Sequence, residues 1–210
     1  MTRVLLADDH PMIGAALDVL LRGTDYELIG RARTGAAALS QVQRQKPDLL
    51  LLDVNMPDGS GLDVLRQLRE GRRSPAVILL TAGMDDPQLL AADRLTPEGI
   101  VSKTSDPALL LDCMEQVRGG ERWVDPEIAD RIAHVKERVA RAPSLTPRER
   151  ELVELVRQGL RNRDIGAKLG VTEGTVKVYL HAVFDKLGVK NRTELAIRAD
   201  EFLAESYLRN

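Results

Sequence analysis

Short apolar runs recur through the first 120 residues: VLLADD (4–9), DLLLLD (48–53), AVILLT (76–81) and IVSK (100–103). Uninterrupted apolar runs of this length predict parallel strands buried on both faces. Strands are expected at 3–8, 26–33, 48–53, 75–81 and 99–102, alternating with helices at 11–22, 35–45, 60–70, 85–95 and 106–118. Pro11 and Pro107 suit first helical turns, and Gly119-Gly120 closes the last helix. Five strand–helix units predict an α/β doubly wound domain with a five-stranded parallel sheet over residues 1–120.

The pattern then changes. Ile128, Ile132, Val135 and Val139 are spaced for one helical face, so the connection 121–143 is expected to be a linker helix, broken at Ala142-Pro143-Ser144. From residue 145 the periodicity is helical throughout, predicting an all-α four-helix domain over 144–210. Thr146-Pro147-Arg148-Glu149 reads as a capping box opening a helix that Gly159 ends, with Leu152, Val153, Leu155 and Val156 as its apolar face. Further helices are expected at 162–169, at 173–187 after Thr172, and at 192–206. A short second helix, the turn LGVTEG and a longer third helix have the proportions of a helix-turn-helix.

Chemistry gathers where the first-half strands end. Asp8, Asp9, Asp53, Thr81 and Lys103 each sit at or just past the end of an apolar run. In an open α/β sheet, function collects in the crevice at the carboxyl ends of the strands. Three clustered carboxylates repel one another and suit a hard cation such as Mg²⁺, which takes oxygen ligands and often a substrate phosphate. The chemistry implied is phosphoryl transfer onto a carboxylate.

Composition narrows the partners. Hydrophobic residues make up 43% and charged residues 30% of 210, enough for one or two folded domains. The single cysteine, Cys113, excludes an intrachain disulfide and is expected to be a small core residue. The N-terminus enters a strand almost at once, so no signal peptide is expected. No apolar run approaches the roughly 18 residues of a membrane span, so a cytoplasmic protein without membrane contact follows. The net charge of −2 is unevenly spread: residues 1–120 carry 13 Lys+Arg against 17 Asp+Glu, and residues 144–210 carry 12 against 10. The acidic part fits a metal site, and the mildly basic part permits DNA contact.

The matches Asp8-Asp9, Asp53-Val54-Asn55-Met56-Pro57 with Gly61, Thr81-Ala82 and Lys103 resemble the receiver domain of two-component response regulators, a flavodoxin-like fold. That resemblance implies that Asp53 accepts a phosphoryl group from a sensor histidine kinase. It implies Mg²⁺ held by Asp8 or Asp9, Asp53 and the carbonyl of Asn55, with phosphoryl oxygens bound by Thr81 and Lys103. LTPRERE (145–151), NRDIGAKLGVTEGTVKVYL (162–180) and DKLGVKNRTELA (185–196) resemble the LuxR-type helix-turn-helix of the NarL/FixJ family. Together they imply a homodimer that binds double-stranded DNA and controls transcription rather than an enzyme. An aspartate-nucleophile phosphatase needs a second carboxylate two residues after the nucleophile, where this chain has Asn55.

On the expected third helix, Val176, Leu180, Val183 and Leu187 fall on the inward face. Lys177 can donate to guanine, Val178 can touch a thymine methyl, and His181 lies on another face than the core. Thr172 and Thr175 can hold a phosphate with the N–H groups of the helix start, and Lys186, Lys190 and Arg192 are further candidate phosphate contacts. Three places depart from the family: Leu95-Thr96-Pro97-Glu98 replaces a usual small-residue turn, Ile100 stands where an aromatic commonly precedes the site lysine, and Thr104 follows the lysine where proline is common. Without the ring, phosphorylation is expected to shift DNA affinity by less than about tenfold. A phosphorylation-independent transcription factor, with the receiver used for dimerisation, is the alternative.

Overall fold

The computed structural model describes residues 1–71 and 75–208. Residues 209 and 210 of the expected C-terminal domain lie outside the described residues. The chain divides into two compact units, Met1–His134 and Val135–Asn210.

In chain order the first unit contains β1 (Thr2–Ala7), α1 (Pro11–Leu20), β2 (Tyr26–Ala32), α2 (Gly35–Gln45), β3 (Leu49–Asp53), β4 (Asn55–Met56) and β5 (Gly59–Ser60). Then come α3 (Gly61–Glu70), β6 (Ala76–Thr81), α4 (Asp86–Arg94), β7 (Gly99–Ser102), α5 (Pro107–Arg118) and β8 (Trp123–Val124). The unit boundary falls within α6 (Pro126–Arg141). The main sheet is parallel, in the order β2-β1-β3-β6-β7-β8. Among the described residues the doubly wound sheet therefore has six strands, one more than the sequence predicts. The added β8 lies in the segment expected to be linker. Its short ladder is extended by Trp123 N–H donating to the Glu98 carbonyl at 2.9 Å and Asp125 N–H to the Ile100 carbonyl at 2.8 Å. Two residues cannot show a strand period, which is why the pattern missed it.

Local chemistry starts the helices. Thr34 caps α2 by accepting from Ala37 N–H at 3.2 Å, and Asp58 accepts from Gly35 and Ala36 N–H at 2.7 and 3.1 Å. Those donors hold the Asp58 carboxyl below its ordinary value. Asp85 and Gln88 form a capping box on α4, and Asp106 caps α5 with Pro107 in its first turn.

Side chains alternate across the sheet. Val4, Leu6, Leu49, Leu51, Ile78, Leu80 and Val101 pack on one face with Leu17 of α1 and Met114 and Val117 of α5. Leu5, Leu50, Leu52, Val77, Leu79 and Ile100, the alternate set, are equally buried. Each such aliphatic side chain contributes about 1.5–3 kcal/mol on burial. Gly99 lets α5 approach closely, because a Cβ there would lie 2.5 Å from Cys113 Sγ.

In the second unit, α7 (Pro147–Arg157), α8 (Asn162–Leu169), α9 (Glu173–Leu187) and α10 (Arg192–Leu208) follow the expected pattern closely. The capping box is present: Thr146 Oγ1 accepts from Glu149 N–H at 3.2 Å, and Glu149 Oε2 accepts from Thr146 N–H at 2.7 Å. Leu152, Val153 and Val156 meet Ile165, Leu169, Val176, Leu180, Val183, Leu195 and Phe202 in one core.

Cys113 is fully buried, and burial pushes its thiol up to about 12. In the unfolded chain the thiol ionises near 9.0, so its contribution to stability is complete below that pH and is lost between 9.0 and about 12. A thiol reagent at neutral pH is expected to label Cys113 only as the first unit opens. Labelling of the native chain at the rate of a free peptide thiol would contradict this burial.

Candidate functional site

The sheet order reverses between β1 and β3, because the chain leaves β1 for β2 and returns on the other side. That switch point opens a crevice at the strands' carboxyl ends. Asp8 and Asp9 follow β1, Asp53 ends β3, Thr81 ends β6, and Lys103 follows β7. Asp53 is opposite Leu80, the residue before Thr81, in the β3–β6 ladder, and Lys103 N–H donates to the Thr81 carbonyl at 2.7 Å. The ladders thus fix where these side chains start.

Lys103 Nζ lies 2.7 Å from Asp53 Oδ2 and 2.9 Å from Asp8 Oδ2. Both carboxylates are almost wholly buried, and the lysine side chain is 9% exposed. Among the described residues these buried oxygens have few polar contacts: Asp8 Oδ2 and Asp53 Oδ2 share the one Lys103 ammonium, and Asp9 Oδ1 faces His10 Nδ1 at 2.9 Å. Asp53 Oδ1 accepts from Asn55 N–H at 3.1 Å, which orients the carboxylate. The Thr81 hydroxyl is buried and accepts from Gly83 N–H at 3.0 Å, leaving its own proton to donate.

Gly61 makes this geometry possible. A Cβ there would fall 2.0 Å from the Asp53 carbonyl oxygen. The start of α3 therefore rests directly on the backbone of the site aspartate, held by Gly61 N–H donating to the Val54 carbonyl at 2.8 Å.

The structure adds His10, which the sequence reasoning passed over while counting carboxylates. Its Nδ1 lies 2.9 Å from Asp9 Oδ1 and 3.1 Å from Asp8 Oδ1, and one ligand atom from each of Asp8, Asp9, His10 and Asp53 falls within 4.8 Å of the others. The signal available was its place directly after Asp8-Asp9. Clustered, buried carboxylate oxygens in this arrangement fit a hard divalent cation. Ile100 is fully buried in β7, on the alternate face from Val101.

In the second unit the turn between α8 and α9 is tight. Gly170 is left-handed at φ +66, and a Cβ on Gly166 would lie 2.7 Å from the Val171 carbonyl oxygen. Thr172 Oγ1 accepts from Thr175 N–H at 3.1 Å and caps α9, and the two hydroxyls are 2.9 Å apart. Lys177, Val178 and His181 are exposed and line a shallow concavity with Asn162, Phe184 and Arg192. Lys177 pairs with Glu173 at 3.4 Å across one exposed turn, a weak pair that another anion can replace.

Two candidate phosphate contacts are tied into the fold. Lys186 Nζ is 2.6 Å from Glu149 Oε2, and Arg192 donates to Asn162 Oδ1 at 3.0 Å and to the Leu160 carbonyl. Lys190 is exposed, and its backbone N–H donates to Glu194 at 2.8 Å. Gly174 has open space around it, with Thr172 Oγ1 at 3.7 Å from a built Cβ, so packing does not require glycine there.

Comparison with known proteins agrees with this architecture. Residues 4–115 match the response regulator receiver domain, and residues 143–199 match the bacterial regulatory proteins of the luxR family. The chain is 32% identical over 201 residues to the nitrate/nitrite response regulator protein NarL of Escherichia coli (strain K12), covering 92% of this chain and 93% of that protein. It is 31% identical over 204 residues to the transcriptional regulatory protein LiaR of Bacillus subtilis (strain 168), covering 95% and 97%. The crystal structure of ChrA, a response regulator of a heme-sensing two-component system, shares 32% identity at a TM-score of 0.55, over 95% of this chain and 96% of that one. RcsB of Salmonella typhimurium shares the fold at a TM-score of 0.72 and 23% identity, over 95% and 100%.

A strand-end acid crevice in a receiver fold, on one chain with a helix-turn-helix, defines a DNA-binding response regulator. The chain belongs to the two-component response regulators that join a receiver domain to a luxR-family DNA-binding domain. Members of this family regulate transcription, and among the described residues no helix is long and apolar enough to cross a membrane.

Burial pushes the Glu149 carboxyl up, but the Lys186 ammonium and the Thr146 N–H outweigh it and hold it below its ordinary 4.5. Stability from this pair is therefore present above 4.5 and lost as pH falls through the lower folded value. Glu149→Gln is expected to flatten the fall in urea midpoint of the C-terminal unit as pH drops below 4.5. An unchanged slope would show that the pair is inert.

Proposed function

We propose that residues 1–120 receive a phosphoryl group on Asp53 from a sensor histidine kinase, that 121–143 link the two domains, and that 144–210 read DNA. The observation that carries this reading is the convergence of three carboxylates, on Asp8, Asp9 and Asp53, at the strand ends beside one buried Lys103 ammonium. Asp8, Asp9, Asp53 and the Asn55 carbonyl would hold Mg²⁺, which neutralises carboxylate charge and brings a phosphoryl oxygen to the site.

In the transfer an Asp53 oxygen attacks the phosphorus of a phosphohistidine. The new P–O bond forms as the P–N bond breaks, and the electron pair leaves on the imidazole, which takes up a proton. Lys103 stabilises the negative charge of the phosphoryl oxygens, and the Thr81 proton donates to one of them. Asn55 N–H keeps the Asp53 carboxylate turned for attack. The output is a homodimer on paired half-sites, since a two-fold protein matches a palindromic operator. Its work on DNA assigns the protein to the cytoplasm.

On the DNA side, Lys177, Val178 and His181 face base edges in the major groove, while Thr172 and Thr175 bind phosphate beside the α9 N-terminus. Lys186 and Arg192 reach phosphate by exchanging their present partners. The buried Ile100, in place of an aromatic, favours weak coupling between phosphorylation and DNA binding.

Acetyl phosphate with Mg²⁺ is expected to add one phosphoryl group to the full chain, and Asp53→Asn to abolish it. Mass-spectrometric mapping of the label to another residue would overturn the assignment. Lys177→Ala is expected to weaken operator binding by about 1–3 kcal/mol. Lys186→Ala should weaken binding nearly uniformly across sequences and reduce the salt slope by about one. Equal, sequence-independent losses from both would restrict Lys177 to the backbone.

A further inference from the structure

Beyond residue 115, where the receiver match ends, the first unit still touches both loops of the acid site. Asp125 follows β8 and is 2% exposed. Its Oδ1 accepts from Glu127 N–H at 3.1 Å, its carbonyl from Ala129 N–H at 2.8 Å, and its own N–H donates to the Ile100 carbonyl at 2.8 Å. It thereby caps α6 and ties the start of that helix to β7. Its second oxygen does something a cap does not need: Oδ2 accepts from Ser105 Oγ at 2.7 Å.

Ser105 lies two residues after Lys103, in the loop that Ser105 N–H, donating to the Ser102 carbonyl at 3.2 Å, folds into a turn. Six residues along α6, Arg131 donates to the Met84 carbonyl at 2.9 Å, and Met84 follows Thr81 in the loop after β6. The first half of α6 thus holds the loop that carries Lys103 through Ser105. It also holds the loop that follows Thr81 through Met84. A buried carboxylate is costly unless its oxygens find donors, so the Ser105 hydroxyl is not a spare contact.

We propose that Asp125 is a positioning residue for the phosphoryl site: through Ser105 it sets where the Lys103 loop sits, and the start of α6 moves when that loop closes on a phosphoryl group. The proposal rests on Asp53 being the acceptor. Where an aromatic would couple the site to the surface, this chain has Ile100, whose carbonyl is itself bonded to Asp125. Binding linkage is reciprocal, so whatever shifts α6 shifts affinity for the phosphoryl group by the same factor.

Trp123, the only tryptophan, lies two residues before Asp125 and reports on this junction. The experiment adds beryllofluoride and Mg²⁺ to the full chain, with binding followed by calorimetry and the junction by Trp123 emission. In the natural protein both are expected to respond. In Ser105→Ala and Asp125→Ala, beryllofluoride should still bind, about threefold or more weaker, with the emission change lost. The double substitution should be no worse than either single one, because both remove the same link. Asp125→Asn, which keeps the cap and a partner for the Ser105 hydroxyl, should restore most of the affinity and the emission change. Ser105→Ala, which removes the link and leaves the Asp125 cap on α6 in place, separates the link from a simple loss of that cap.

Beryllofluoride that binds the natural protein with no emission change, or single losses that add in the double variant, would overturn the proposal while leaving Asp53 as acceptor. No binding of beryllofluoride at all would overturn both.

Discussion

Two buried carboxylates facing one ammonium set the terms for the rest of the first domain. Removing ions from water costs several kcal/mol each even after relaxation. Lys103, at 2.7 and 2.9 Å from Asp53 and Asp8, offsets part of that cost, but one ammonium is shared between two carboxylates and a third, on Asp9, lies beside them. The site is thus left short of positive charge. A divalent cation would relieve this deficit, and a phosphoryl group would then find positive charge and a hydroxyl proton already in place. Stability alone would not select such a cluster, since apolar residues of similar volume would fill the crevice at lower cost.

The surrounding fold keeps these charges from spreading apart. Parallel ladders fix the strand ends, and the reversal between β1 and β3 brings Asp8 and Asp53 to one crevice. Gly61 lets α3 rest against the Asp53 backbone. In the DNA-binding unit the same logic operates on a smaller scale. Gly166 and Gly170 let the turn before α9 close, so that Thr172 can cap the helix and Lys177, Val178 and His181 stay exposed. Lys186 and Arg192 differ from Lys177 in being anchored by other parts of their own unit, which keeps them close to where a phosphate could replace Glu149 or Asn162.

Much of this was legible in the sequence because it depends on period and punctuation. The apolar runs marked the long buried strands, and polar residues at their ends marked the crevice. Thr146 and Glu149 announced α7, and the spacing of Val176, Leu180, Val183 and Leu187 announced the inner face of α9. What escaped depends on contacts between distant segments. β8 is too short to carry a period. His10 reaches the carboxylates only because α1 starts where it does. The bond from Ser105 to Asp125 joins residues twenty apart that no pattern relates.

The central claim is that chemistry at Asp53 alters DNA reading by the same chain. The most direct measurement is a titration of operator DNA with the full protein, with and without beryllofluoride and Mg²⁺, beside Asp53→Asn. The account predicts a reproducible change in affinity, less than about tenfold, that disappears in Asp53→Asn. Identical affinities with and without beryllofluoride, under conditions where the ligand is bound, would contradict it.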